Sequence, residues 1–281
     1  MAYIEIADNR QKQRMQMYDN ISHQLASPLN VILNGAEYIQ ASLENGIPEQ
    51  QREAIGLSAQ AIRDSAHWLD RLAQNLLDLL AISSNSFCPT CRLLDLSAQL
   101  QRLLTLCTPY AEVRKIQMHW STEQMPIQSM IRADEAVLDR IVLNLLSNAL
   151  RFGHSNGNVW ISLKVQEEGY SILIQDDGPG LPAEVLEEVQ HGMNEPVPQF
   201  PGHGDGLGLC IAAEFCRMMD WNLRLKSSEE GTSACVTIPM GKMTAFGNVA
   251  MESGVLMQGL CQQEQAGRVT KEMSALFGEL K

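Results

Sequence analysis

Gly202-His203-Gly204-Asp205-Gly206-Leu207-Gly208-Leu209 runs straight into Cys210-Ile211-Ala212-Ala213-Glu214-Phe215-Cys216, a segment with helical apolar spacing. Glycines at 204, 206 and 208 let successive backbone N–H groups converge, and the helix start adds its positive end. Such a loop makes an anion site suited to a triphosphate. Alone it is a modest clue, because ordinary loops also collect glycine, so its neighbours decide the reading.

Two upstream stretches keep it company. Asp176-Asp177-Gly178-Pro179-Gly180-Leu181 follows an apolar strand. A carboxylate fixed at a strand end can accept a hydrogen bond from an exocyclic amine such as that of adenine, and the glycines let the backbone approach a ligand closely. A plain strand-to-turn junction explains the same residues equally well. Farther back stands Asn144-Leu145-Leu146-Ser147-Asn148-Ala149-Leu150-Arg151-Phe152. Asn144 and Asn148 are four apart, hence on one helical face, where amide oxygens can hold a magnesium ion. Arg151 reaches the same face and can neutralise phosphate charge. An unremarkable surface helix is the competing account of this stretch.

Around these motifs the periodicity predicts strands at Arg92–Leu96, Ile116–Trp120 and Ser129–Ala133, and helices at Ser97–Val113 and Asp134–Phe152. Asp134 and Glu135 form an acidic cap on the second helix. Asn158–Val165 and Tyr170–Gln175 read as a hairpin, Leu207–Met219 as a helix, and Asn222–Lys226 and Ser233–Ile238 as strands. Helices packed on one face of a mixed sheet are the expected result.

The N-terminal part is different. Met15, Tyr18, Ile21, Leu25, Leu29, Ile32, Ala36, Ile39 and Leu43 make one face of a helix from about Ala7 to Asn45. The turn Asn45-Gly46-Ile47-Pro48 ends it, and Ile55 through Leu80 sustain a second helix. An antiparallel hairpin of this kind exposes a long apolar stripe, which two copies bury as a four-helix bundle. His23 stands beside that stripe, five residues before Pro28, which lacks an N–H and bends the helix. A half-buried histidine that only packs is the ordinary reading of one such residue.

Composition sets limits. A chain of 281 residues suffices for two domains with cores. A net charge of −12, with no basic stripe, argues against nucleic acid as a partner. No apolar run reaches the ~20 residues needed to span a bilayer and the start has no signal-peptide core, so a cytoplasmic setting without membrane insertion is expected. Cys88 and Cys91 are the one C-x-x-C pair; reduced thiols, rather than zinc ligands, fit their surroundings.

Taken together, Ser22-His23 through Pro28-Leu29, Asn144 through Phe152, Asp176 through Gly180 and Gly204 through Leu209 resemble the four ordered motifs of two-component sensor histidine kinases. In that family a dimerisation and histidine phosphotransfer domain precedes an ATP-binding domain of the gyrase, Hsp90, histidine kinase and MutL type. The resemblance implies an α+β chain. Residues 1–85 form the helical hairpin, a four-helix bundle in the homodimer. Residues 86–240 form an α/β sandwich ATP-binding domain with a mixed sheet, and 241–281 form a tail of unassigned role.

It also implies roles. His23 would accept the phosphoryl group of ATP, and Asn148 would be the main magnesium ligand with Asn144 beside it. Arg151 would contact phosphates, Asp176 would read the adenine amine, and Gly178 and Gly180 would shape the base pocket. Gly204, Gly206, Leu207 and Gly208 would wrap the phosphates and hinge the lid. The phosphoryl group would pass to an aspartate of a separate response regulator. With no sensor segment read in the chain, input would come from a separate sensor protein, from the tail, or from the thiols of Cys88 and Cys91.

Departures from the family pattern are informative. Gln24 follows the histidine where the family usually has an acid, so it can orient the imidazole but cannot stabilise positive charge on it. Ser27 stands where the family often has a group that positions water for dephosphorylating the regulator. Between Leu181 and Pro201 the lid has no Lys or Arg and carries Glu184, Glu187, Glu188 and Glu195. A degenerate, dimeric scaffold without its own kinase activity is the alternative function. A clamp-type ATPase shares the fold but expects an acid where Asn144 stands.

Overall fold

The computed structural model describes residues 25–42, 52–83, 87–123, 129–167, 169–183, 186 and 207–239, with 267, 269, 270 and 273 near the C-terminus. Two long helices come first, α1 over 25–42 and α2 at Arg52–Ser83. They approach each other at Gly35, where a Cβ would stand 3.0 Å from Ile62 Cγ1. Residue 35 lies 12 positions before Ile47 and residue 62 lies 14 after Pro48, so the two arms are of nearly equal length, as in a hairpin. The turn itself lies outside the described residues. Leu25, Leu29 and Leu33 on α1 are 39%, 48% and 51% exposed in the single chain, and Leu57 on α2 is 67% exposed.

The α/β part opens with β1 (Arg92–Asp95), α3 (Leu96–Val113), β2 (Gln117–Glu123), β3 (Met130–Ala133) and α4 (Glu135–Phe152). It continues with β4 (Asn158–Gln166), β5 (Gly169–Asp176), α5 (Leu207–Met218), β6 (Asn222–Ser228) and β7 (Gly231–Pro239). The main sheet has the order β2-β4-β5-β7-β6, with β2 parallel to β4 and all other pairs antiparallel. It is therefore mixed. β1 and β3 stay apart and pair with each other, Arg92 opposite Ala133. Sequence patterning found both strands but not their pairing, and it ran β1 one residue too far: Leu96 begins α3.

Helix starts follow from capping. Asp95 accepts from the backbone N–H groups of Ser97 and Ala98, and Asp134 from those of Ala136 and Val137. Each satisfies orphan donors of a first helical turn, worth about 1 kcal/mol per cap. Asp134 also accepts from Thr90 N–H at 2.7 Å, which ties the segment after α2 to the start of α4.

Alternation along the strands sends Val159, Ile161 and Leu163 of β4, Ile172 and Ile174 of β5, and Ala234, Val236 and Ile238 of β7 into one core. Leu138, Ile141, Leu145, Ile211 and Phe215 cover that core from α4 and α5. Two residues past Ile174 on the same face comes Asp176, a carboxylate at the end of an apolar strand.

The core does not stop at the sheet and its helices. Leu72 of α2 is fully buried in it, Leu76 and Leu79 pack against it, and the Phe87 ring lies 5.5 Å from that of Phe215. Val269 and Met273, in helical conformation and four apart, are buried in it too. The tail expected over 241–281 thus meets this core at Val269 and Met273. Among the described residues no helix is long and apolar enough to cross a membrane.

Candidate functional site

The end of β5, the α4 helix and the first turn of α5 enclose a cleft. Leu145, Ile174, Leu181, Leu209 and Leu225 line its apolar wall, and Asn148, Asp176 and Thr232 are its polar members. An apolar slot with a few convergent polar groups is the usual form of a small-molecule site.

Asp176 is held rigidly. Its Oδ1 accepts from Gly178 N–H at 2.9 Å and from Thr232 N–H at 3.3 Å, and the residue is 8% exposed. Burial raises the pKa of its carboxyl and outweighs the two backbone donors, which lower it. The neighbouring Asp177 also raises it, and His154 lowers it. Asp177 itself braces the turn by accepting from Asn158 N–H at 2.8 Å.

The loop after Asp176 needs its glycines for separate reasons. Gly180 has φ of +81°, a conformation side chains rarely adopt, and a Cβ there would meet the Ser228 carbonyl. At Gly178 a Cβ would stand 2.7 Å from Phe152 O and 2.8 Å from Asp176 Oδ1. Both positions let the backbone lie flat against the cleft.

α4 supplies the opposite wall. Asn148 faces the cleft, whereas Asn144, one turn earlier, is completely buried. Asn144 donates from Nδ2 to Arg140 O at 2.8 Å, and its Oδ1 has no hydrogen-bond partner. That oxygen points at α5: a Cβ on Gly208 would stand 2.7 Å from it. A buried amide oxygen without a donor is costly unless a ligand completes it, and amide oxygens are good ligands for hard cations. A metal-bound phosphate at the glycine-rich helix start fits this donor set.

Arg151 lies in the last turn of α4 with its guanidinium 5.8 Å from the centre of the Trp68 ring and 5.2 Å from that of Phe152. Leu207 and Gly208 open α5 and are buried. Ser27 is an exposed residue of α1. His23, Gln24, Gly204, Gly206 and the acidic lid lie outside the described residues.

The structure adds residues that patterning did not single out. Thr232 lines the cleft and fixes Asp176 through its backbone; Gly231-Thr232 at a strand start was the available signal. Trp68, Arg71 and Asn75 reach this region from α2, and no short-range pattern marks them.

The family described as histidine kinase-, DNA gyrase B-, and HSP90-like ATPase matches residues 133–242. Sensor protein kinase PilS of Pseudomonas aeruginosa is 28% identical over 81% of this chain and 41% of its own. The chain spans less than half the length of such curated relatives, between 28% and 41% for three of them. Among solved structures, Acinetobacter baumannii histidine kinase AdeS matches 78% of this chain and 98% of its own, with a TM-score of 0.60 and 16% identity. Histidine kinase ThkA, solved in complex with response regulator protein TrrA, matches 85% of this chain and 66% of its own, with a TM-score of 0.57 and 16% identity. At these identities the structures speak for the fold, and the sequence relatives carry the kinship. The match of the ATPase family over residues 133–242 covers the cleft-forming elements, and over about four-fifths of its length the chain is similar to sensor histidine kinases.

Proposed function

We propose that this chain is an ATP-dependent protein-histidine kinase that phosphorylates its own His23 and passes the phosphoryl group to an aspartate of a separate response regulator. The observation that carries the reading is the pairing of Asp176 and Asn148 across an apolar cleft, with the orphaned Asn144 Oδ1 beside the α5 start. Residues 1–85 serve as the phosphotransfer hairpin, 86–240 as the nucleotide-binding domain and 241–281 as an appended tail.

The geometry of the cleft and the family resemblance together support the following roles. Oδ1 of Asp176 is taken up by two backbone donors, so Oδ2 is the oxygen offered to the adenine amine. The leucine and isoleucine wall sandwiches the base. Asn148 and Asn144 hold magnesium, which supplies charge neutralisation on the phosphates when bound. Arg151 and the N–H groups at the start of α5 orient the polyphosphate. His23 is the nucleophile, with Gln24 to fix its ring and Ser27, four residues on in the sequence, for the reverse, regulator-dephosphorylating reaction. Positioning and electrostatic stabilisation are what phosphoryl transfer demands from a protein.

Dimerisation through the hairpin is supported by the exposed leucines of α1 and α2. A response-regulator partner is supported by kinship with ThkA, whose solved complex contains one. Gln24 and the acidic lid favour a second reading, a dimeric scaffold that does not make phosphohistidine itself.

Incubating the purified chain with γ-labelled ATP and magnesium separates the two. Acid-labile, base-stable label that disappears in His23→Ala is expected; unlabelled wild-type protein would instead establish the scaffold.

A further inference from the structure

α2 brings more than leucines to the α/β part. Beside the fully buried Leu72 stand Arg71, 4% exposed, and Asn75, completely buried. A guanidinium stays ionised wherever it is placed, and its planar fork of donors matches the geometry of phosphate oxygens.

Arg71 is aimed at a specific place. Its Nη2 stands 3.5 Å from the point that a Cβ on Gly208 would occupy, and Asn144 Oδ1 stands 2.7 Å from the same point. Gly208 lies in the first turn of α5, whose backbone N–H groups carry partial positive charge. Three elements therefore meet there: a cation from α2, an amide oxygen from α4 that lacks a hydrogen-bond partner, and a helix start. A guanidinium calls for an anion and an amide oxygen for a cation, so the trio suits a metal-bound polyphosphate.

Trp68 joins this set. One turn before Arg71 on α2, its ring has the Arg71 guanidinium 5.9 Å and the Arg151 guanidinium 5.8 Å from its centre. A single indole thus holds the hairpin's arginine and the α4 arginine in one neighbourhood.

We propose that Arg71 is a ligand of the nucleotide's terminal phosphates, carried to the α5 start by the helical hairpin and positioned beside Arg151 by Trp68. The proposal rests on the reading of the cleft as a nucleotide site. It makes the hairpin part of the phosphate subsite, whereas the base subsite around Asp176, Leu145 and Leu209 belongs to the α/β part alone. Phosphate affinity then depends on α2 being docked, and base affinity does not.

Equilibrium binding of MgATP and of adenosine to the full chain tests it. In Arg71→Ala the affinity for MgATP is expected to fall roughly tenfold, the size of one charged hydrogen bond, while adenosine changes by less than about twofold. Arg71→Gln fills the buried position without charge and gives the same ratio, so the test stands even if the alanine variant fails to fold. Arg71→Lys recovers part of the loss. An unchanged ratio of the two affinities in Arg71→Gln overturns the proposal while leaving the nucleotide site intact. Failure of the wild type to bind either ligand overturns both.

Discussion

Arg140 on α4 donates from Nε to Asp78 Oδ2 on α2 at 2.8 Å and from Nη2 to Asn75 Oδ1 at 2.9 Å. The same guanidinium makes an ion pair with Asp78, and the two side chains are only 15% and 13% exposed. Arg140 is thus the polar fastener between the hairpin and the nucleotide-binding part, one turn before Asn144 on the same helix. Pairs this well buried lie between surface ion pairs and fully desolvated ones. A double-mutant cycle on Asp78→Ala and Arg140→Ala is expected to give a coupling of about 1–3 kcal/mol in urea unfolding. Additive effects of the two changes would show that the contact does not hold α2 in solution.

Asp176 makes base recognition pH-dependent. Its folded pKa lies above the ordinary 3.8 because burial penalises the carboxylate. For the ligand-free fold the sign is as follows: the stabilising contribution of protonation is present below the unfolded value and is lost as pH rises through the raised folded value. Adenine recognition has the opposite sign, since the amine needs an acceptor and protonation removes it. Adenosine affinity is therefore expected to fall over the acidic range, beginning at higher pH than an ordinary carboxylate would require. Asp176→Asn should bind weakly and show a flat profile over that range in calorimetric titration; a sloping profile would assign the titration to another group.

Gly180 and Gly208 fail differently when given a side chain. Gly180→Ala forces φ of +81° on a residue with a Cβ and drives that Cβ into the Ser228 carbonyl, so the cleft loop must move. Gly208→Ala keeps a helical backbone but places its Cβ on Asn144 Oδ1. The first is expected to cost about 1–3 kcal/mol of stability. The second should leave the melting temperature nearly unchanged and weaken MgATP more than adenosine. Equal losses of both ligands in Gly208→Ala would place the phosphates elsewhere.

Much of this site is written locally. Asp176 follows an alternating apolar strand and Asn148 lies on the helical face turned toward it, so period and turn chemistry alone bring these two to one cleft, while Asn144 turns to α5 and Arg151 to Trp68 of α2. Arg71 and Trp68 were not legible because on α2 they read as ordinary members of a hairpin helix, and only docking onto α5 gives them a destination. Thr232 was missed because it acts through a backbone N–H, which every residue except proline possesses. The pairing of β1 with β3 was hidden for a related reason: short strands of four residues carry too few alternations to name a partner.

Leu29 and Leu33 of α1 and Leu57 of α2 leave apolar area in water in the single chain. Covering them by a second copy implies a stable dimer. Light scattering after size exclusion is expected to report twice the 31.2 kDa chain mass. Leu33→Glu should shift the population toward monomer without loss of nucleotide binding, because the cleft belongs to one chain. A monomeric wild type would require another cover for this face.

Gln24 follows the proposed acceptor His23, where it would set how fast that histidine is filled. During attack on the γ-phosphate the imidazole gains positive charge, and a neutral amide beside it can hold the ring but cannot offset that charge. An adjacent carboxylate can, and a charge-assisted hydrogen bond is roughly twice as strong as a neutral one. Gln24→Glu is therefore expected to raise the rate of His23 phosphorylation about tenfold, corresponding to about 1.4 kcal/mol of barrier. MgATP affinity should stay constant, since residue 24 is not among those proposed to hold the nucleotide. The measurement is single-turnover labelling at saturating ATP. A rate equal to or below wild type would mean that the chain relies on a group other than residue 24 to activate the histidine.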